Sequence, residues 1–323
     1  MPAPLTFDGV LFFPVTPFGD GGDVDEGVLR DHVAARLDDG AGAVFAGCGT
    51  GEFHALSIAE RAVVARVAAQ AVAGRPADDR VPVVAGVGGA LGDAIESARR
   101  MRDTGADALL LLPPYLVSGP QHGLARWVET IVEAADLPVV LYHRANALYR
   151  AATVERLVAD PRVIGVKDGH GDIAMMQELV AAATAIRPDL LFFNGLLTAE
   201  VSQAAYRGIG VPLYSSAAFA MAPGIATAFY EAYRAGDEPT RLRILREFYL
   251  PLVRLRDETP GFAVSLVKAG LRLQGVPVGS VRPPLADPTD EQLARLGTIL
   301  EAGERLAQEL ADTRSATAAA PRA

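Results

Sequence analysis

A chain of 323 residues, half of them apolar and 21% charged, has the material for a large buried core and the length of two average domains or one α/β barrel. Its net charge of -9, with no basic cluster interleaved with aromatics, excludes the usual footprint of a nucleic-acid binder. The single cysteine, Cys48, has no intrachain partner and the five histidines show no metal-ligand spacing, so neither a disulfide nor a metal is expected.

The opening "MPAPLTFDG" lacks a basic stretch leading into an apolar one, and the most apolar run, "ALLLLPPYLV", is too short and Pro-broken to span a bilayer. A soluble cytoplasmic protein with no membrane partner is expected. Short apolar runs then recur along the chain: "GVLFFPVTP", "GAVFAGCGT", "VPVVAGVG", "DALLLLPPY", "LPVVLYHR", "VIGVKDG", "LLFFNG" and "VPLYSSA". Between them lie segments with helical periodicity such as "EGVLRDHVAARLDDG" and "AIESARRMRDTGA", and one helix is expected to begin near Ser57, with Glu60 at capping-box spacing. Runs that are continuously apolar suit parallel strands covered on both faces. Eight such alternations predict an α/β fold, a (β/α)8 TIM barrel over residues 1–236. The competing arrangement, an open doubly wound sheet, is disfavoured because no Gly-x-Gly-x-x-Gly fingerprint follows the first strand.

After the eighth run, "PGIATAFYEAYRAGD" completes the barrel. Three further helical patterns, "RLRILREFYLPLVRL", "GFAVSLVKAGLRLQG" and "DEQLARLGTILEAGERLAQEL", predict a C-terminal helical appendage over 237–311. The Ala-rich end, 312–323, reads as a disordered tail.

In a barrel of this kind the active site sits at the C-terminal ends of the strands. The polar residues closing the runs are Thr16, the "GCGTGE" loop, Tyr115, Tyr142 to Arg144, Lys167 with Asp168, Asn194, and Ser215 with Ser216. Lys167 stands out because the chain uses arginine almost everywhere, its only other lysine being Lys268. An ordinary lysine is neutral at pH 7 only to about one part in a few thousand, so desolvation worth some 3 pKa units raises the nucleophile roughly a thousandfold. Arginine cannot do this, since a guanidinium stays protonated. Lys167 is therefore a candidate Schiff-base lysine, against the alternative of a structural pair with Asp168 or another carboxylate. Tyr142, ending the preceding strand, is placed to shuttle protons, or else merely caps the strand end. Gly47, Gly49 and Gly51 let the backbone approach an anion, with the Thr50 hydroxyl as an added donor. Cys48 reads as a packing residue, His143 and His170 as loop residues. Arg144 reads either as a surface arginine or as a clamp for a second carboxylate.

"GCGTGE", "LPPYL", a tyrosine ending the fifth strand and "GVKDG" about 25 residues later together resemble the dihydrodipicolinate synthase and N-acetylneuraminate lyase superfamily of Schiff-base enzymes. Within it, "GTGEFHALS", "GVKDGHGD", "LTAEVSQAAYRGIGVPLYSSAAF" and "VKAGLRLQGVPVGSVRPPL" are most similar to the 5-dehydro-4-deoxyglucarate dehydratases. The synthases' second threonine and second tyrosine are replaced by Gly49 and Leu116, which speaks against synthase activity. Five positions depart from the dehydratase pattern: Cys48, His143, Ala145, Leu197 and Ala220. The resemblance implies a lyase that dehydrates and decarboxylates 5-dehydro-4-deoxy-D-glucarate, or, as the alternative, an aldolase acting on another 2-keto acid. It implies Lys167 as imine former and Tyr142 as proton shuttle. Gly49, Thr50 and Gly51 would hold the keto-acid carboxylate, with Arg144, Thr198, Ser215 and Ser216 facing the distal groups. No cofactor is implied, the partner is a small keto acid, and assembly into a homo-oligomer, a tetramer or dimer of dimers, is expected.

Overall fold

Each of the eight apolar runs forms a strand: β1 (Val10–Phe12), β2 (Ala41–Ala46), β3 (Val83–Gly89), β4 (Ala108–Pro114), β5 (Val139–His143), β6 (Val163–Asp168), β7 (Leu191–Asn194) and β8 (Leu213–Ser216). In the computed structural model, which describes residues 5–319, neighbours pair in parallel from β1 to β8, and β8 pairs back with β1 to close a barrel. Side chains alternate between two apolar environments. Leu11, Phe13, Phe45, Leu110, Val140 and Phe193 fill the barrel interior, where Phe13 stacks on Phe45 at 4.5 Å between ring centroids. The alternate residues, such as Leu109, Leu111, Leu141 and Val166, face the surrounding helices. Burial on both faces is why the strands read as unbroken apolar runs.

Helices α1 (Glu26–Asp38), α2 (Ile58–Ala73), α3 (Leu91–Met101), α4 (Gln121–Ala135), α5 (Ala151–Val158), α6 (Ile173–Ile186) and α7 (Gln203–Gly208) follow β1 to β7 in turn. The short α8 (Ala218–Met221) and α9 (Pro223–Ala235) follow β8. Ser57 and Glu60 form a complete capping box at the start of α2, and Asp25 and Asp172 accept backbone N–H groups at the starts of α1 and α6. Each such cap is worth about 1 kcal/mol.

Beyond Gly236, which closes α9 in a left-handed conformation, α10 (Glu238–Ile244) passes through a π-helical turn into α11 (Leu250–Arg256). That turn lies just before Pro251, whose missing N–H removes one helical hydrogen bond. Helices α12 (Phe262–Leu273) and α13 (Asp290–Ala319) complete the chain. They have no separate core: Phe248, Leu266, Leu296 and Leu300 share one apolar cluster with Leu29, Val33 and Phe229 of the barrel layer.

The expected disordered tail needs correcting as far as Ala319, because α13 runs on through it. Alanine keeps helix propensity high there, Thr313 and Ser315 bond back to Glu309 and Ala311 carbonyls, and Arg314 pairs with Glu231 of α9. Residues 320–323 lie outside the described residues. Among the described residues no helix is long and apolar enough to cross a membrane.

Candidate active site

A cavity of about 560 Å³ opens at the C-terminal end of the strands, within the range of small-molecule sites. Phe13, Thr50, Tyr142, Arg144, Lys167 and Ser215 line it, and α11 and α12 supply the outer wall with Arg256 and Phe262.

Lys167 is the inward residue of β6, in register with Tyr142 on β5 and Phe193 on β7. Its Nζ lies 4.0 Å from the Phe13 ring centroid, 4.5 Å from that of Tyr142 and 5.8 Å from that of Phe193. Burial pushes the amine below the ordinary lysine value; Tyr142 and Cys48 pull the other way, and Arg144 lowers it further. The structural alternative for this lysine fails on geometry. The Asp168 carboxylate is held by the His170 and Gly171 amides at 2.9 and 3.2 Å and by the Tyr206 phenol, and no salt bridge among the described residues reaches Lys167.

The Tyr142 phenol accepts a hydrogen bond from Arg144 Nη1 at 3.0 Å and donates to the Gly195 carbonyl at 3.4 Å. Two glycines make room for this pair. A Cβ on Gly195 would lie 2.0 Å from Lys167 Cε, and one on Gly169 2.5 Å from the Tyr142 ring.

The loop after β2 folds back on itself. Glu52 N donates to Gly49 O and Phe53 N to Cys48 O, each at 3.1 Å, and the Thr16 hydroxyl donates to Gly51 O at 2.7 Å. Gly49 and Thr50 line the cavity, and among the described residues their amides meet no intramolecular acceptor. Unspent N–H groups on a tight turn suit an anion. Gly51 lies beneath, where an added Cβ would press on Gly47 and Pro14 at 3.2 Å; it shapes the turn without lining the cavity.

Thr198 and Ser215 line the cavity. Thr198 is left-handed (φ 51°), and its hydroxyl accepts from Arg256 Nη1 at 2.7 Å. Ser216 does not belong with them. It points away, is fully buried, donates to Glu200 Oε1 at 2.5 Å and accepts from Phe219 N at 3.1 Å. Consecutive strand residues face opposite sides, so Ser215 and Ser216 could not both enter the cavity. The remaining strand-end residues are structural or remote: Asn194 spends its amide on Ala199, Ser202 and Gln203, and Tyr115 is two-thirds exposed outside the lining.

Of the five departures, only Ala145 and Leu197 line the cavity. Cys48 is buried in the barrel interior, where burial pushes its thiol up to about 12 and keeps it protonated, in keeping with a packing role. His143 is buried and accepts from Tyr149 N at 3.1 Å; Ala220 lends its carbonyl to Arg36. Sequence reasoning missed Gly195 and Arg256. The "NG" that ends the seventh apolar run is a turn signal that could have pointed to Gly195, whereas Arg256 arrives from the appendage and carries no local signal. Among the described residues no group of three or more His, Cys, Asp or Glu side chains could hold a metal ion.

Comparison with known proteins bears on the same assembly. The model of the dihydrodipicolinate synthetase family matches residues 6–303. A protein of Streptomyces griseus named probable 5-dehydro-4-deoxyglucarate dehydratase is 50% identical, covering 93% of each chain. One of Streptomyces coelicolor with the same name, numbered 1, is 48% identical over 93% of this chain and 94% of its own. Among solved structures, the dihydrodipicolinate synthase of Oceanobacillus iheyensis superposes with a TM-score of 0.83 at 24% identity, covering 93% of this chain and 97% of that one. YagE of Escherichia coli K12, a prophage protein of the dihydrodipicolinic acid synthase family in complex with pyruvate, superposes with a TM-score of 0.79 at 25% identity, covering 91% and 98%. With that match spanning nearly the whole chain and a buried lysine at the mouth of a closed eight-stranded barrel, the chain belongs to the dihydrodipicolinate synthetase family.

Proposed function

We propose that this chain is a Schiff-base-forming dehydratase that converts 5-dehydro-4-deoxy-D-glucarate to 2,5-dioxopentanoate, releasing water and carbon dioxide. The observation that carries the chemistry is Lys167: a buried amine that has no carboxylate partner among the described residues, whose neutral form burial favours, beside the Tyr142 phenol. The names of relatives at 47–50% identity support the substrate.

In this reading the substrate's keto-acid carboxylate lies on the Gly49 and Thr50 amides. The Lys167 amine adds to the ketone carbon, and Tyr142 gives a proton to the carbinolamine oxygen, which leaves as water to form the iminium. The iminium acidifies the adjacent methylene, Tyr142 takes one of its protons, and an enamine results. The enamine electrons expel the hydroxyl on the next carbon, which takes a proton and leaves as water. The product is a conjugated iminium, and the bond to the distal carboxylate breaks so that its electron pair flows into this sink and carbon dioxide departs. Reprotonation, tautomerisation of the terminal enol to an aldehyde, and hydrolysis of the imine return Lys167 and release 2,5-dioxopentanoate.

Loss of carbon dioxide moves charge off the distal carboxylate, so a strong cationic clamp there would favour the ground state over the transition state. Thr198 and Ser215 hydroxyls suit that end, the nearby Arg256 guanidinium being spent on Thr198, the Leu197 carbonyl and Asp257, and Arg144, tied to Tyr142, serves the proton shuttle. A homo-oligomer, a tetramer or dimer of dimers, belongs to the same proposal. The consecutive exposed apolar residues Tyr115, Leu116 and Val117 support it. The setting we propose is breakdown of acid sugars in the cytoplasm.

Incubation with 5-dehydro-4-deoxyglucarate, followed by detection of the keto-acid aldehyde product and of carbon dioxide, tests the assignment. Turnover abolished by Lys167→Ala is expected; a folded wild-type protein that leaves this substrate intact overturns it, and aldol cleavage of another 2-keto acid would replace it.

A further inference from the structure

Two residues beyond Thr50, the loop after β2 contains a wholly buried carboxylate, Glu52, in a left-handed conformation (φ 58°) that non-glycine residues adopt only when their surroundings enforce it. What enforces it comes from the far end of the chain. Lys268 of α12, also wholly buried, pairs with Glu52 Oε1 at 2.7 Å, and the Arg282 amide donates to Glu52 Oε2 at 2.8 Å. Lys268 Nζ additionally donates to Ser280 O at 2.9 Å and lies 4.0 Å from the Phe18 ring centroid. The Arg282 guanidinium lies at the same distance from that ring and reaches Ala55 O and Glu60 Oε1 at 2.8 and 2.6 Å. One carboxylate thus fastens the segment joining α12 and α13 to the loop that presents the Gly49 and Thr50 amides.

Nothing in the chemistry above uses this pair, and a buried ion pair is a poor source of stability, since desolvation offsets its attraction. Its placement gives it another use. A bare carboxylate two residues from an anion cradle would repel the substrate's carboxylate, and a loop freed from α12 would lose the turn that aims the amides.

We infer that Glu52 and Lys268 are positioning residues for the carboxylate cradle at Gly49 and Thr50, so that α12 completes the substrate's anion site from outside the barrel. The inference rests on the reading of that loop as the holder of the keto-acid carboxylate. Neither residue touches substrate. Both act through the loop, so their loss should weaken recognition of a carboxylate next to the reacting carbonyl and leave imine formation itself alone.

Borohydride trapping separates these effects, with pyruvate and hydroxyacetone as probes. The two are close in size, and only pyruvate carries the carboxylate. Half-saturating concentrations are read from the fraction of protein whose mass shifts, in wild type, in Lys268→Met and in the charge-neutral double variant Glu52→Gln/Lys268→Met, with cooperative thermal unfolding checked in each. We expect Lys268→Met to raise the pyruvate value about tenfold or more, equivalent to about 1.4 kcal/mol, with hydroxyacetone unchanged. The double variant should shift in the same direction by less, since the repulsive charge is gone but the anchor is still missing. Should Lys268→Met not fold, the double variant decides. Equal shifts for both probes, or none, in a folded variant overturn the inference. A wild type that fails to prefer pyruvate overturns the cradle reading itself, a result distinct from the first.

Discussion

The Arg144 guanidinium, just past the end of β5, donates to the phenol oxygen of Tyr142 at 3.0 Å. A cation bonded to that oxygen stabilises negative charge as it develops there and fixes the phenol against the Gly195 carbonyl. Arg144→Ala is therefore expected to lower kcat by at least about tenfold, the scale of a lost charge-assisted hydrogen bond. On the proposed mechanism imine formation should be slowed, since Tyr142 protonates the carbinolamine, but not lost, so pyruvate trapping carried to its end point stays close to wild type. If Arg144 instead clamped substrate, KM would rise with kcat unchanged, and that pattern would retire the assignment.

Gly195 has no side chain because Lys167 occupies the space where one would be. With Cβ positions 2.0 Å from Lys167 Cε and 2.8 Å from Asp168 O, an alanine there must drive the lysine off its line between Phe13 and Tyr142. Gly195→Ala should lose borohydride-trappable pyruvate almost completely, at some cost in stability because the Asp168 carbonyl is backbone and must shift as well; cooperative thermal unfolding checks that the variant is folded. Trapping at wild-type levels in Gly195→Ala would show that the lysine's placement is far less constrained than the packing indicates.

The barrel was legible in the sequence because strands buried on both faces leave unbroken apolar runs, and the rarity of lysine in this chain pointed to Lys167, which lines the cavity. Rarity proved to be a weaker signal than it looked. Lys268 is just as buried, and what separates the two is a carboxylate, present at Lys268 and, among the described residues, absent at Lys167, that only the fold brings into place. Ser216 was misplaced by reading a strand end as a patch when strand alternation already put one of two adjacent serines behind the wall. Arg256 and the segment around Arg282 were illegible because they reach the site from the appendage, 58 residues from Thr198 and 230 from Glu52.

Behind that wall Glu200 is buried with Ser216 as its partner, and burial pushes its carboxyl up from the ordinary 4.5 to about 7. Between those pH values the folded protein keeps the proton that the unfolded chain has released, so stability falls as pH rises through the window and levels off above it. Across the whole window this amounts to about 3 kcal/mol. His32, buried neutral with its pKa pushed down to about 3, acts oppositely, costing stability as pH falls below 6.5. Comparing wild type with Glu200→Gln cancels the His32 contribution. The variant should gain stability relative to wild type by about 2.5 kcal/mol between pH 5 and pH 8. Parallel denaturant midpoints at the two pH values would mean that Glu200 is ionised throughout.

The two lysines make opposite predictions for the same substitution. Lys167 is a desolvated amine with aromatic neighbours and, among the described residues, no carboxylate partner, so on the proposed function the fold bears its desolvation for the sake of chemistry. Methionine has nearly the same length and no charge to desolvate, and Lys167→Met should abolish trapping while raising stability by about 1–2 kcal/mol. Lys268→Met removes the counterion of a carboxylate that stays buried, and should lower stability by about 3–5 kcal/mol. Adding Glu52→Gln to it should restore most of that loss, because replacing both members of a buried pair by neutral groups is close to neutral in energy. Urea unfolding of the three variants at pH 7 decides the matter. A loss of stability in Lys167→Met comparable to that in Lys268→Met would mean that Lys167 is held by a favourable interaction, and the case for a poised, unpartnered amine would fall with it.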